Sequence, residues 1–178
     1  MTSNWTRSKI ERKADEITSG VIPTDLEEIA KNFGATIRIE KLDSDVSGML
    51  LTSSKSSKKV ILVNKDNHEN RRRFTIAHEI AHLLMHENED EVFVDSRGSA
   101  TIYFRSKESI AHIPLAERQA NEFASCILMP QKAVLNYIKD NPIDINDDIA
   151  VKVMANRFGV SIQALSIRLA NLKLTSQL

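Results

Sequence analysis

The sequence predicts an α+β domain: a small, mostly antiparallel sheet leads into one long, largely apolar helix, and a helical part follows to the C-terminus. Three observations carry this. Apolar residues recur at helical spacing as far as Phe33-Gly34, then alternate strictly from Ala35 onward. The stretch from Arg71 to His86, RRRFTIAHEIAHLLMH, is helical in period and apolar except for one strip holding Thr75, His78, Glu79, His82 and His86. From Leu115 on, the period is helical again, punctuated by Pro130, Asn141-Pro142 and Gly159.

In order, residues 4–19 form a first helix with Trp5, Ile10, Ala14 and Ile17 as its apolar contacts and Gly20 as its stop. Thr24, with Glu27 three residues on, makes a capping box that opens a second helix ending at Phe33-Gly34. Thr36-Ile37-Arg38-Ile39-Glu40 reads as a strand, as do residues 46–51 and 59–63, the latter two joined by a serine- and lysine-rich loop. Which strand lies at the sheet edge is not legible from sequence. Arg71-Arg72-Arg73 reads as the solvated start of the central helix, because three adjacent arginines fall short of a basic patch. Beyond His86 comes an acidic turn, then two short apolar runs, Val92-Phe93-Val94 and Thr101-Ile102-Tyr103-Phe104, which fit either strands or a loop over a cleft. Tyr103, Arg105 and His112 are candidate donors to an oxyanion, and their spacing selects none of them.

At 178 residues the chain is expected to form one main domain, residues 1–140, with residues 141–178 as a helical segment packed on it. Lysine and arginine number 24, as do aspartate and glutamate, so net charge gives no general attraction to nucleic acid or to an acidic membrane. Cys126 is the single cysteine, which excludes an internal disulfide and fits a reducing cytosol. The polar start of the chain is unlike a signal peptide, and no apolar run is long enough to span a bilayer. A cytoplasmic protein without a membrane partner is expected.

The chemistry concentrates in His78-Glu79-Ile80-Ala81-His82, an HExxH sequence. At about 100° per residue, positions i and i+4 lie one turn apart on nearly the same face, so both imidazoles reach one tetrahedral metal ion. Glu79 lies too far round the helix to be a ligand. It remains close enough to accept a proton from a water held there. The flanks and both x positions are uncharged, as the stricter zinc-peptidase pattern requires. His86 is a poor third ligand: eight residues of straight helix displace it by about 12 Å from His78. Pro114 stands where prolines start helices, and the helix after it carries Glu117 and Asn121 on one face. Glu117 completes a His2Glu set, and Asn121 is placed to hydrogen-bond a ligand. Glu122, on another face, is the reserve candidate, and Cys126 reads as a small core residue. Zinc suits this donor set, and manganese or iron fit it too.

A second function class comes from the C-terminus. Ile149–Phe158, Gly159-Val160 and Ser161–Leu172 outline a helix-turn-helix. A DNA-reading second helix needs cations and base readers, and this one offers Gln163, Ser166, Arg168, Asn171 and Lys173 on a neutral chain. Packing or substrate docking ranks above DNA binding. The alternative is a DNA- or repressor-binding regulator whose metal site is structural.

Arg73 to His86, then Glu117-x-x-Ala120-Asn121-x-Phe123-Ala124 and Leu128-Met129-Pro130, together resemble the ImmA/IrrE family of metallopeptidases. The likeness extends through residues 25–34, Ser47-Gly48-Met49-Leu50, Ile61-Leu62-Val63-Asn64 and residues 158–169, and so covers nearly the whole chain. It implies a zincin-like fold, with His78 and His82 matching the histidine ligands, Glu79 the catalytic carboxylate and Glu117 the third ligand. Ala81 and Gln119 stand where many relatives have glycine and glutamate, and neither change removes a ligand. The resemblance further implies a bacterial or phage cytosolic endopeptidase that cleaves a helix-turn-helix repressor encoded nearby and thereby switches on gene expression.

Overall fold

The computed structural model describes residues 5–52, 58–85, 92–96, 115–141, 143–145 and 147–174, with 92–96 described as backbone. Helix α1 (Arg7–Ile17) starts on Thr6, whose hydroxyl accepts from the Lys9 N–H, and it buries Ile10 and Ala14. Trp5, just ahead of it, meets Phe123 edge-on with ring centroids 5.8 Å apart. Helix α2 (Leu26–Asn32) is capped by Asp25, which accepts from the Glu28 N–H at 2.9 Å. The expected cap, Thr24, is used differently: its hydroxyl donates to the Ile127 carbonyl at 2.9 Å. Two adjacent residues qualified as caps, and a tertiary acceptor claimed one of them.

Strands β1 (Ala35–Glu40), β2 (Val46–Thr52), β3 (Lys59–Asn64) and β4 (Val92–Ser96) form one sheet in the order β1-β3-β2-β4. β2 runs antiparallel to both β3 and β4, while β1 pairs with β3 in parallel, Ala35 opposite Lys59. Leu50, Ile61 and Val63 turn into the core. On the edge strand β1 the alternation holds, but Ile39 is left 55% exposed. The buried amide of Asn64 donates to the carbonyls of Asp43 and Val46, which fixes the β1–β2 connection.

Helix α3 (Glu69–Met85) begins two residues ahead of Arg71 and lies on this sheet. Its close approach to β2 depends on Gly48: a Cβ there would collide with Thr75 Cγ2 and stand 2.7 Å from the Leu62 carbonyl oxygen. The three arginines are not a solvated helix start. Arg71 donates to Ser47 Oγ at 2.8 Å, Arg72 to the Lys65 and Asn67 carbonyls, and Arg73 to the Thr24 carbonyl at 2.9 Å. Each therefore clamps the helix to a different neighbour.

Helix α4 (Leu115–Leu128) packs along α3, burying Ala120, Phe123, Ala124 and Ile127. Pro130 then starts α5 (Gln131–Asp140). α6 (Asp148–Phe158) is capped by Asp147 and ends at Gly159, whose φ of +65° is the left-handed conformation that favours glycine. α7 (Ile162–Asn171) is capped by Ser161. Arg168 on α7 is 2% exposed, donating to the Met129 carbonyl at 2.9 Å and to both carboxylate oxygens of Glu11, Nη2 to Oε2 at 2.7 Å. Of the base readers proposed for a helix-turn-helix, this cation is spent inside the fold. Among the described residues no helix is long and apolar enough to cross a membrane.

Candidate metal centre

Two helices supply the site. His78 and His82 are one turn apart on α3, and both are buried at 4% and 2% exposure. Such burial of polar rings needs partners. They find one another and Glu117, at the start of α4: His78 Nε2 lies 2.9 Å from His82 Nε2 and 3.4 Å from Glu117 Oε2, and His82 Nε2 lies 3.1 Å from Glu117 Oε1. Ligands at 2.0–2.1 Å from a tetrahedral ion stand about 3.3 Å apart, so the three donors already have the separations of a coordination sphere. They form a group that could hold a metal ion.

The chemistry of the donors fits as well. The Asn121 amide oxygen lies 3.1 Å from His78 Nδ1. An amide oxygen only accepts, so Nδ1 carries a proton, and with a metal ion bound Nε2 would offer its lone pair on the side facing Glu117 and His82, in place of the N–H that otherwise faces them. Burial raises the Glu117 carboxyl's pKa, but hydrogen bonds and charge from His78 and His82 outweigh it and hold the group ionised well below the usual carboxylate range. An anionic oxygen facing two imidazole nitrogens is what a divalent cation requires.

Glu79 is 1% exposed on the same helix. Glu122, the reserve candidate, is turned elsewhere and pairs with Arg7 Nε at 3.4 Å, while burial raises its pKa. Cys126 is fully buried and its thiol is pushed up to about 12, so it is a core residue without nucleophilic character. His86, Tyr103, Arg105 and His112 lie outside the described residues. Phe74, one turn before His78 on α3, packs its ring 6.3 Å from the His78 imidazole.

No curated protein matches the chain. Among solved structures, a Mycobacterium tuberculosis transcriptional regulator is similar in fold, with a TM-score of 0.57 and 19% identity over 94% of this chain. This chain spans 47% of that one's length. The family model for the IrrE N-terminal-like domain, Peptidase M78, matches residues 30–170. With its two histidines and one glutamate gathered at the α3–α4 contact, the chain belongs to the IrrE N-terminal-like family of peptidases.

Proposed function

We propose that this protein is a metal-dependent endopeptidase that cuts one specific intracellular protein, with His78, His82 and Glu117 as metal ligands and Glu79 as general base. The observation that carries this is the convergence of three donor atoms from two helices, with Asn121 fixing the tautomer of one. A divalent ion held there, zinc by ligand type or else manganese or iron, supplies Lewis acidity to a peptide carbonyl and to water. Glu79 takes the proton of the attacking water and returns it to the leaving amine. Asn121 holds the His78 ring in register throughout. β4, an edge of the sheet among the described residues, is where an extended peptide would add as a strand.

The substrate fits best as a helix-turn-helix repressor, the class that the family's known substrates belong to. A neutral chain and a buried ligand set suit a narrow target better than a broad digestive role. Residues 141–178 then serve as a helical annex, anchored through Arg168, that packs on the 1–140 body and helps dock the substrate in the cytoplasm. The test is co-expression with the repressor encoded beside this gene, using wild-type protein and Glu79→Gln, with fragments mapped by mass spectrometry. One metal-dependent cut by wild type alone is expected. An intact repressor released from its operator equally by both proteins would instead make this a binding regulator with a structural metal.

A further inference from the structure

Among the described residues β1 is an end strand of the sheet, at the opposite edge from β4. One side of it is taken by the parallel pairing with β3, where Glu40 stands opposite Asn64 and its carbonyl accepts from the Lys65 N–H at 2.8 Å. Backbone direction alternates along a strand, so Arg38 and Glu40 turn their N–H and C=O groups toward β3, while Ile37 and Ile39 turn theirs outward. Among the described residues no strand takes up those outward groups. The side chains are equally open: Arg38, Ile39, Glu40 and Lys41 are all exposed, Ile39 at 55%. Arg38 and Glu40 have no ion-pair partner among the described residues.

Charged residues on an edge strand usually keep copies of a chain apart. Here opposite signs stand two residues apart on one face, which makes the strand complementary to itself. When two β1 strands pair antiparallel, residues with outward backbone groups oppose one another. Registers centred on Arg38 or on Glu40 put like charges directly opposite, which is destabilising. The register centred on Ile39 instead sets Arg38 of each copy against Glu40 of the other, at the non-hydrogen-bonded positions where side chains come closest. It also sets Ile39 against Ile39 and Ile37 against Lys41, each pair exchanging both backbone hydrogen bonds.

We propose that β1 is a self-association edge, through which two copies of this chain pair antiparallel over residues 37–41, centred on Ile39. The two sheets become one, the exposed Ile39 side chains cover each other, and the charges of Arg38 and Glu40 are matched twice. One short edge buries less than the roughly 1,200 Å² of a standard stable interface, so the dimer is of the weak, reversible kind. It uses neither β4 nor the metal ligands, so it stands or falls separately from peptidase activity.

Sedimentation velocity of the full chain, from micromolar to near-millimolar concentration, tests this. A reversible monomer–dimer equilibrium is expected for wild type. Arg38→Glu and Glu40→Arg, both at exposed positions, should each weaken it at least tenfold with an unchanged melting midpoint, because each puts like charges opposite. Mixed in equal amounts, these two variants should associate with one another, and the double variant Arg38→Glu/Glu40→Arg should associate with itself as wild type does. Ile39→Pro removes an outward N–H and none of the β1–β3 bonds, and should leave a folded monomer. A wild type that stays monomeric throughout, a dimer that survives Arg38→Glu, or a mixed pair that fails to associate would overturn the proposal, even where Ile39→Pro fails to fold.

Discussion

Removing Glu11 should destabilise this protein far more than the loss of an ordinary surface carboxylate. Arg168 is 2% exposed and the Glu11 side chain 14% exposed, and the pair is bidentate. Exposed pairs contribute about 0–1 kcal/mol because solvent screens them. Here, Glu11→Ala strands a buried guanidinium whose one remaining acceptor among the described residues is the Met129 carbonyl, and breaking such a pair costs about 3–5 kcal/mol. For a chain of this length that corresponds to a fall of about 6–20 °C in melting midpoint, at about 2–4 °C per kcal/mol. The double variant Glu11→Leu/Arg168→Met should recover much of the loss, since no charge is then left buried. Burial raises the pKa of Glu11, but Arg168 prevails and the carboxyl stays below its ordinary value of 4.5. The stabilisation is thus fully present above that value and is lost as pH falls through the lower folded-state value. Thermal denaturation from pH 7 down to 3 should show wild type losing stability below about pH 4.5 by more than Glu11→Ala does. A loss under 1 kcal/mol in Glu11→Ala, or identical acid profiles, would show that the pair contributes no more than an exposed one.

Other outcomes follow from the packing and the site. Gly48→Ala should cost about 1–3 kcal/mol, because Thr75 or the β3 backbone must move, and chemical denaturation will measure it. Asn121→Leu should retain the fold and bind zinc about 10–100-fold more weakly, since His78 Nδ1 loses its acceptor; competition with a chromogenic chelator reads this. Glu79→Gln should keep metal content near that of wild type while abolishing cleavage, checked by metal analysis beside fragment mapping.

The grouping of His78, His82 and Glu117 was legible in the sequence because each helix contributes its residues at helical spacing. His78 and His82 at i and i+4, and Glu117 and Asn121 at the same interval, share faces whatever the tertiary context. The α+β architecture followed from the change of period at Ala35. What stayed hidden was non-local. The acceptors of Arg71 and Arg73 are supplied by Ser47 and Thr24, 24 and 49 residues away, so no local pattern separates a clamp from a solvated turn. Arg168 looked like a DNA contact on its own helix, because its partner Glu11 is 157 residues away in sequence. The parallel pairing of β1 with β3 likewise depends on strand order, which alternation cannot reveal.

Two α3 histidines, His78 and His82, and the α4 glutamate Glu117 are expected to hold one divalent ion between them. Zinc per chain, measured by mass spectrometry on wild type, His82→Ala, Glu117→Ala and Glu122→Ala after identical dialysis, tests it directly. One ion per chain is expected in wild type and Glu122→Ala, with loss in both His82→Ala and Glu117→Ala. Full occupancy in Glu117→Ala together with an empty Glu122→Ala would contradict it.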